Sequence, residues 1–209
     1  MPPPQFITFD GIDGTGKSTQ LPRFVDWLQA QGRAVTVCRD PGSTLLGNRL
    51  REILLNDEQI VVHSRAEMLL YMAARAQLVE EIIRPALAVG NDVVCDRFLL
   101  ANVAYQAYAG ALPVDDVWQV GHIATGGLSP TLTFLLDMPA TAAMTRLQRS
   151  HDKLEARGVD YLETVRQGFL TEARRRGEIE IIDANQAADQ VHAAIIAAAE
   201  RRLQRSVNS

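Results

Sequence analysis

Apolar and polar positions along this chain fall into two periods. Five short β-rich runs, at residues 6–10, 34–39, 92–96, 132–137 and 179–183, read as strands, the first and third of them buried, and the stretches between have helical spacing, the first over residues 19–31. Strands that alternate with helices predict an α/β domain with a five-stranded parallel sheet covered by helices on both faces. Such sheets bind ligands beyond the carboxyl ends of their strands. Those ends carry Asp10, Arg39, Asp96, Arg97, Asp137 and Asp183.

Residues 65–87 are apolar around much of a helical circumference, with Met68, Leu69, Tyr71, Met72, Ala76, Leu78, Val79, Ile82 and Ile83. One face must meet the sheet. The other meets either a neighbouring helix or a partner subunit, and periodicity does not choose between them. No proline, glycine or serine run divides the sequence, so residues 1–209 read as one domain.

Composition narrows the function classes. A net charge of −4 with 22% charged residues argues against a broad nucleic-acid surface and leaves cationic sites to local clusters. No apolar run approaches the length of a membrane span, and residues 1–5 lack the pattern of a signal peptide, so the expectation is a cytoplasmic protein with no membrane partner. Cys38 and Cys95 fall inside strand-like runs and read as buried, reduced thiols without zinc or haem spacing.

The sharpest motif follows the first strand. Gly11-Ile12-Asp13-Gly14-Thr15-Gly16-Lys17-Ser18 matches the phosphate-binding loop G-x-x-x-x-G-K-[ST], between a strand and a helix as that loop requires. Its glycines let successive N–H groups converge on phosphate oxygens at a helix N-terminus. Lys17, one of only two lysines in the chain, then reaches the β/γ-phosphates, and the Ser18 hydroxyl becomes a ligand of Mg²⁺. Thr19 opens the helix beside it. Asp96, ending the third strand, is the acidic residue that P-loop enzymes hold near the metal, and Arg97 can hold a second anion opposite the triphosphate. A GTPase would show Asn-Lys-x-Asp and a downstream Asp-x-x-Gly, and neither is present. The choice left by the residues is between a small-molecule kinase and an ATP-driven switch or assembly protein.

Several motifs together resemble the thymidylate kinase family of P-loop nucleoside-monophosphate kinases. They are Phe9-Asp10-Gly11 running into the loop, Arg39-Asp40-Pro41-Gly42, Ala73-Ala74-Arg75-Ala76-Gln77-Leu78, Asp96-Arg97-Phe98, Ala104-Tyr105-Gln106 and Ile182-Asp183-Ala184, in order from Phe6 to about Ala187. The resemblance implies the P-loop NTPase fold with a mobile lid, transfer of phosphate from ATP to dTMP with Mg²⁺, and a homodimer. A kinase for dUMP or a nucleoside is the alternative within the class. It further implies that Asp13 approaches the acceptor's 3′-hydroxyl, Arg97 holds its phosphate with Arg39 nearby, and Tyr71 stacks on the base. Arg75 would donate to O4, Asn102 would reach the N3 edge, Tyr105 would crowd the 2′ position, and Gln106 belongs to the same acceptor site. Adenine would lie near residues 183–186.

The sequence departs from the family pattern in instructive places. Asp40 stands where the usual acid is glutamate, and Ser43 where a glycine is common; the acid here would reach Mg²⁺ through water. Leu100-Ala101 replaces a stretch that often holds a serine, and Ala107-Tyr108-Ala109-Gly110-Ala111 lacks an arginine and two glycines. Thr15 leaves the P-loop without the arginine that some members carry there, so the transition-state cation must come from the lid, residues 146–160. The candidates are Arg146, Arg149, Lys153 and Arg157, with Arg149 the principal cation and Lys153, at a place usually held by arginine, an auxiliary.

Overall fold

The computed structural model describes residues 3–57, 59–147 and 157–207. Strand β1 (Phe6–Asp10) leads into α1 (Lys17–Ala30), β2 (Val35–Arg39) and α2 (Leu45–Leu55). Helix α3 (Ser64–Leu78) runs on through a π-helical turn, Val79–Ile83, into α4 (Arg84–Ala88). After β3 (Asp92–Asp96) come α5 (Leu99–Asn102), a second π-helical turn at Val103–Tyr108, and α6 (Val114–Thr125). The chain closes with β4 (Leu132–Asp137), α7 (Ala140–Arg146), α8 (Val159–Ala173), β5 (Ile179–Asp183) and α9 (Ala188–Val207).

All pairings are parallel, in the order β2-β3-β1-β4-β5. Four expected strands match in both bounds, and β2 begins one residue late, at Val35. The sheet's two faces feed separate apolar layers because side chains alternate along each strand. Ile7, Phe9 and Val94 pack with Phe24, Leu28, Phe134 and Phe169 on one side. Phe6, Val93 and Cys95 pack with Met72, Leu78, Ile83, Phe98 and Val117 on the other. Residues 65–87 therefore bury one face on the second layer, as the pattern required.

Central position makes β1 the pivot. From it the chain leaves to the β2 edge, returns through β3, and only then builds β4 and β5 on the far side. This switch point opens a crevice above the carboxyl end of β1. The loop there is pressed against its neighbours: a Cβ on Gly11 (φ 132°) would lie 2.4 Å from the Leu136 carbonyl oxygen, and one on Gly14 (φ 85°) 2.2 Å from that of Ala143. No larger residue fits either place without moving backbone.

The departures from family glycines keep a glycine-like backbone. Ser43 has φ 63° and Ala111 φ 59°, both in the left-handed region. Ser43 offsets the strain locally. Its Oγ accepts from the Arg39 N–H at 2.9 Å, and its own N–H donates to Asn48 Oδ1 at 3.1 Å.

Candidate active site

An open cleft of about 680 Å³ runs along the P-loop, lined by Asp13, Gly14, Thr15, Gly16, Lys17, Ser18 and Thr19 and by Arg39, Arg51 and Asp96. Gly16 (φ 91°) precedes the first turn of α1, so the free N–H groups of that turn face the cleft. Gly11 and Ile12 lie beneath it. Their carbonyl oxygens each accept from Lys17 Nζ at 2.9 Å, while Asp13 Oδ1 is 3.8 Å from the same ammonium. Burial and then the charge of Arg97 lower the Lys17 pKa.

Arg97 joins the two halves of the site. It follows β3 with φ 69°, a strained backbone for a non-glycine residue. Its guanidinium donates to the Gly11 carbonyl at 2.8 Å and to Asp13 Oδ1 at 2.9 Å, and lies 5.4 Å over the Tyr105 ring. Burial opposes its charge, but Asp13, Tyr105 and Asp96 outweigh burial and raise its pKa. Arg97 also lines a second, inner cavity of about 80 Å³ with Asp13, Arg51, Tyr71, Arg75, Asn102, Tyr105 and Gln106.

Local spacing explains why those side chains meet. Tyr71 and Arg75 are four residues apart on α3 and so share a stripe, while Asn102, Tyr105 and Gln106 come from α5 and its π-helical turn. Such turns concentrate at functional sites. Arg75 is fixed by Asp40, whose carboxylate takes its Nε at 2.5 Å, with Nη2 3.4 Å from the Phe98 carbonyl oxygen; both side chains are buried. Burial raises the Asp40 pKa and Arg75 opposes that rise. Asp40, considered from sequence as a water-bridged metal neighbour, is thus the anchor of Arg75 in the wall of the inner cavity.

The thymidylate kinase family model matches residues 9–195. The chain belongs to the thymidylate kinase family. It is 46% identical over 196 residues to a thymidylate kinase of Rhodopirellula baltica, covering 93% of this chain and 80% of that one. It is 42% identical over 200 residues to one from Thermosipho africanus, covering 95% and 99%, and 40% identical over 206 residues to one from Bifidobacterium longum subsp. infantis, covering 97% and 88%.

Within this thymidylate kinase frame, the geometry sorts the remaining candidates. Arg39 lines the P-loop cleft and not the inner cavity. Arg51 of α2 lines both, and sequence reasoning missed it because α2 carries no motif. Burial and the nearby Arg39 lower its pKa, as expected for a partly buried cation crowded by another. Ala184 and Gln186, in the turn proposed for adenine, line the P-loop cleft. Of the lid candidates, Arg146 lines the P-loop cleft and donates to the Ala184 carbonyl at 3.0 Å, whereas Arg157 donates to Glu67 at 3.1 Å and to the Tyr161 hydroxyl at 3.0 Å. Arg149 and Lys153 lie outside the described residues. Glu67 was also missed, although 67, 71 and 75 are one helical stripe.

Two carboxylates at the base of the P-loop remain. Asp96 Oδ1 and both carboxylate oxygens of Asp10 are buried without a hydrogen-bond partner among the described residues. Burial is the main cause that raises the Asp10 pKa from 3.8 to about 7, with Arg97 and Lys17 pulling it down and Asp96 adding to the rise.

Proposed function

We propose that the two clefts hold the two substrates of a thymidylate kinase, ATP along the P-loop and dTMP in the inner cavity. The chain phosphorylates dTMP with ATP, releasing ADP and dTDP. The observation that carries the arrangement is the shared wall: Asp13 and Arg51 line both clefts, so donor and acceptor phosphates meet between them.

Phosphoryl transfer asks the protein for positioning and charge neutralisation rather than covalent chemistry. Lys17 swings from its loop carbonyls to the β/γ-phosphates. Arg97 grips the acceptor phosphate and keeps Asp13 near the 3′-hydroxyl. Arg51 adds charge between them, and Arg39 serves the P-loop side. Tyr71, Arg75, Asn102 and Gln106 form the base pocket, and Tyr105, packed under Arg97, restricts the sugar. The oxygen donors of Ser18 and Asp96 line one cleft, and the unpartnered Asp96 oxygen suits a hard cation, so these two residues fit Mg²⁺. A bound Mg²⁺ would neutralise charge on the triphosphate. The lid, residues 146–160, supplies the remaining cations and excludes water.

We further propose a homodimer. Helix α3 packs on α6, and Leu69 on α3 and Ile123 on α6 remain 50% and 78% exposed, apolar surface that a second copy would cover. No helix among the described residues is long and apolar enough to cross a membrane. We place the enzyme in the cytoplasm, with its ATP.

An ADP-release assay over a panel of nucleoside monophosphates and nucleosides, with and without Mg²⁺, tests the reading. Release should depend on both dTMP and the metal. ATP hydrolysis that ignores every acceptor would replace the kinase with a nucleotide-driven switch, and preference for dUMP or a nucleoside would reassign the inner cavity.

A further inference from the structure

Four polar side chains form a line from the lid to the inner cavity. Arg157 donates to Glu67 Oε2 at 3.1 Å; Gln106 Nε2 donates to Glu67 Oε1 at 2.7 Å; Asn102 Nδ2 donates to Gln106 Oε1 at 2.7 Å. Glu67, Gln106 and Asn102 are all buried. The line ends on Asn102 Oδ1, buried with no partner among the described residues, on a residue that lines the cavity.

The direction of this line is chemically forced. An amide can present either its oxygen or its NH₂ to a neighbour, so an asparagine alone in a pocket reads donors and acceptors alike. A carboxylate only accepts. Gln106 must therefore turn its NH₂ to Glu67, which leaves its oxygen toward Asn102, which must in turn offer its own NH₂. Reversing either amide would set two acceptor oxygens 2.7 Å apart in a buried place, where an unmade hydrogen bond is most expensive. Asn102 is left presenting an acceptor to the ligand.

We propose that Glu67 is a specificity-determining positioning residue: acting through Gln106, it fixes Asn102 as a hydrogen-bond acceptor, so that the cavity selects a pyrimidine with a ring N3–H and rejects one whose N3 is a lone pair. Thymine and uracil carry that hydrogen. Cytosine does not. The inference rests on the reading that the inner cavity holds the base of the acceptor nucleotide. Arg157 lies at the far end of the same line, so the lid's base and the base reader share one carboxylate. A site that commits a buried polar group in this way rejects the mismatched ligand strongly, because the group is left unpaired.

Glu67→Gln tests the idea with little change of volume. The new amide can donate as well as accept, so the line can reverse and Asn102 can offer NH₂ to cytosine N3. The ratio of kcat/KM for dTMP over dCMP should fall about ten-fold or more, mostly through KM, while ATP affinity and Tm stay near wild type. Gln106→Met breaks the middle of the line and carries the same expectation should the first variant fold poorly. In an Asn102→Ala background, Glu67→Gln should leave the ratio within about two-fold, since the residue it acts through is gone. An unchanged ratio in the single variants, or an equal fall with and without Asn102, overturns the proposal. A wild-type enzyme that does not use dTMP at all would instead overturn the reading of the cavity.

Discussion

Asp10→Asn should stabilise the ligand-free protein at neutral and alkaline pH and do almost nothing in acid. Asp10 ends β1 directly beneath the P-loop, wholly buried, with neither carboxylate oxygen hydrogen-bonded among the described residues. Burial, the largest influence, raises its pKa from 3.8 to about 7. In the unfolded chain this carboxyl loses its proton near its ordinary value, whereas in the folded protein it keeps the proton to about pH 7. Between those limits the folded state binds more protons than the unfolded one, so stability from this group declines as pH rises. A displacement of about three pKa units corresponds to about 4 kcal/mol. The penalty is absent below about pH 4, complete above about pH 7, and removed at every pH by an amide of the same shape. For a chain of this size each kcal/mol moves Tm by about 2–4 °C. Thermal melts in EDTA should therefore place the variant on the order of 10 °C above wild type at pH 8 and within about 2 °C at pH 4. Parallel pH profiles, or a variant less stable than wild type at pH 8, would refute the assignment of Asp10 as an uncompensated buried charge.

Arg75→Ala should lose about 3–5 kcal/mol in urea unfolding, because Asp40 is left as an unpaired buried acid; joint replacement of Arg75 by Met and Asp40 by Leu should recover most of that loss. A loss under about 1 kcal/mol for the single change would mean that the pair is not the anchor described. Arg97→Ala should weaken dTMP much more than ATP in separate titrations, and equal losses would assign it to structure instead. In the lid, Arg149→Ala should lower kcat by roughly 10³ or more with both dissociation constants within a few-fold, and Lys153→Arg should raise kcat. Silence at both positions would move the transition-state cation to Arg146 or Arg157.

The sheet was legible because its inner strands β1, β3 and β4 are short, largely apolar runs buried on both faces, and the more exposed edge strands β2 and β5 are rich in β-branched residues. The P-loop was legible because its glycines and lysine answer a local steric and electrostatic demand within eight residues. The roles proposed for Tyr71, Arg75, Asn102 and Tyr105 came through likeness to a family, since nothing in an isolated tyrosine marks it as a stacking surface. What escaped was pairing across the chain. Arg75 meets an acid 35 residues away and Gln106 one 39 residues away, so their roles depend on a fold that places α3 beside β2 and the second π-helical turn. Arg51 escaped for a related reason: its helix reads as an ordinary amphipathic one, and only the fold brings its charge to the wall that the two clefts share.

Apart from Ala111, whose left-handed backbone lies in the loop before α6, three residues that break local rules gather in one place. Arg97 holds a left-handed backbone without being glycine, Ser43 does the same in the loop after β2, and Asp10 buries a carboxyl that no hydrogen bond among the described residues satisfies. Each would be a defect in a structural domain, where local preference and global fold agree. Here all three lie at the carboxyl ends of β1, β2 and β3, where the shape of the sheet already requires the ligand to bind. Arg97 shows the exchange most directly: its strained backbone is what lets one guanidinium reach the P-loop carbonyl, Asp13 and the inner cavity together. An arginine with relaxed strand geometry would continue the alternation of β3 toward one apolar layer or the other. The cost of holding it otherwise is of order 1–3 kcal/mol, small beside the several powers of ten in rate that a positioned phosphate clamp, the role proposed for Arg97, contributes.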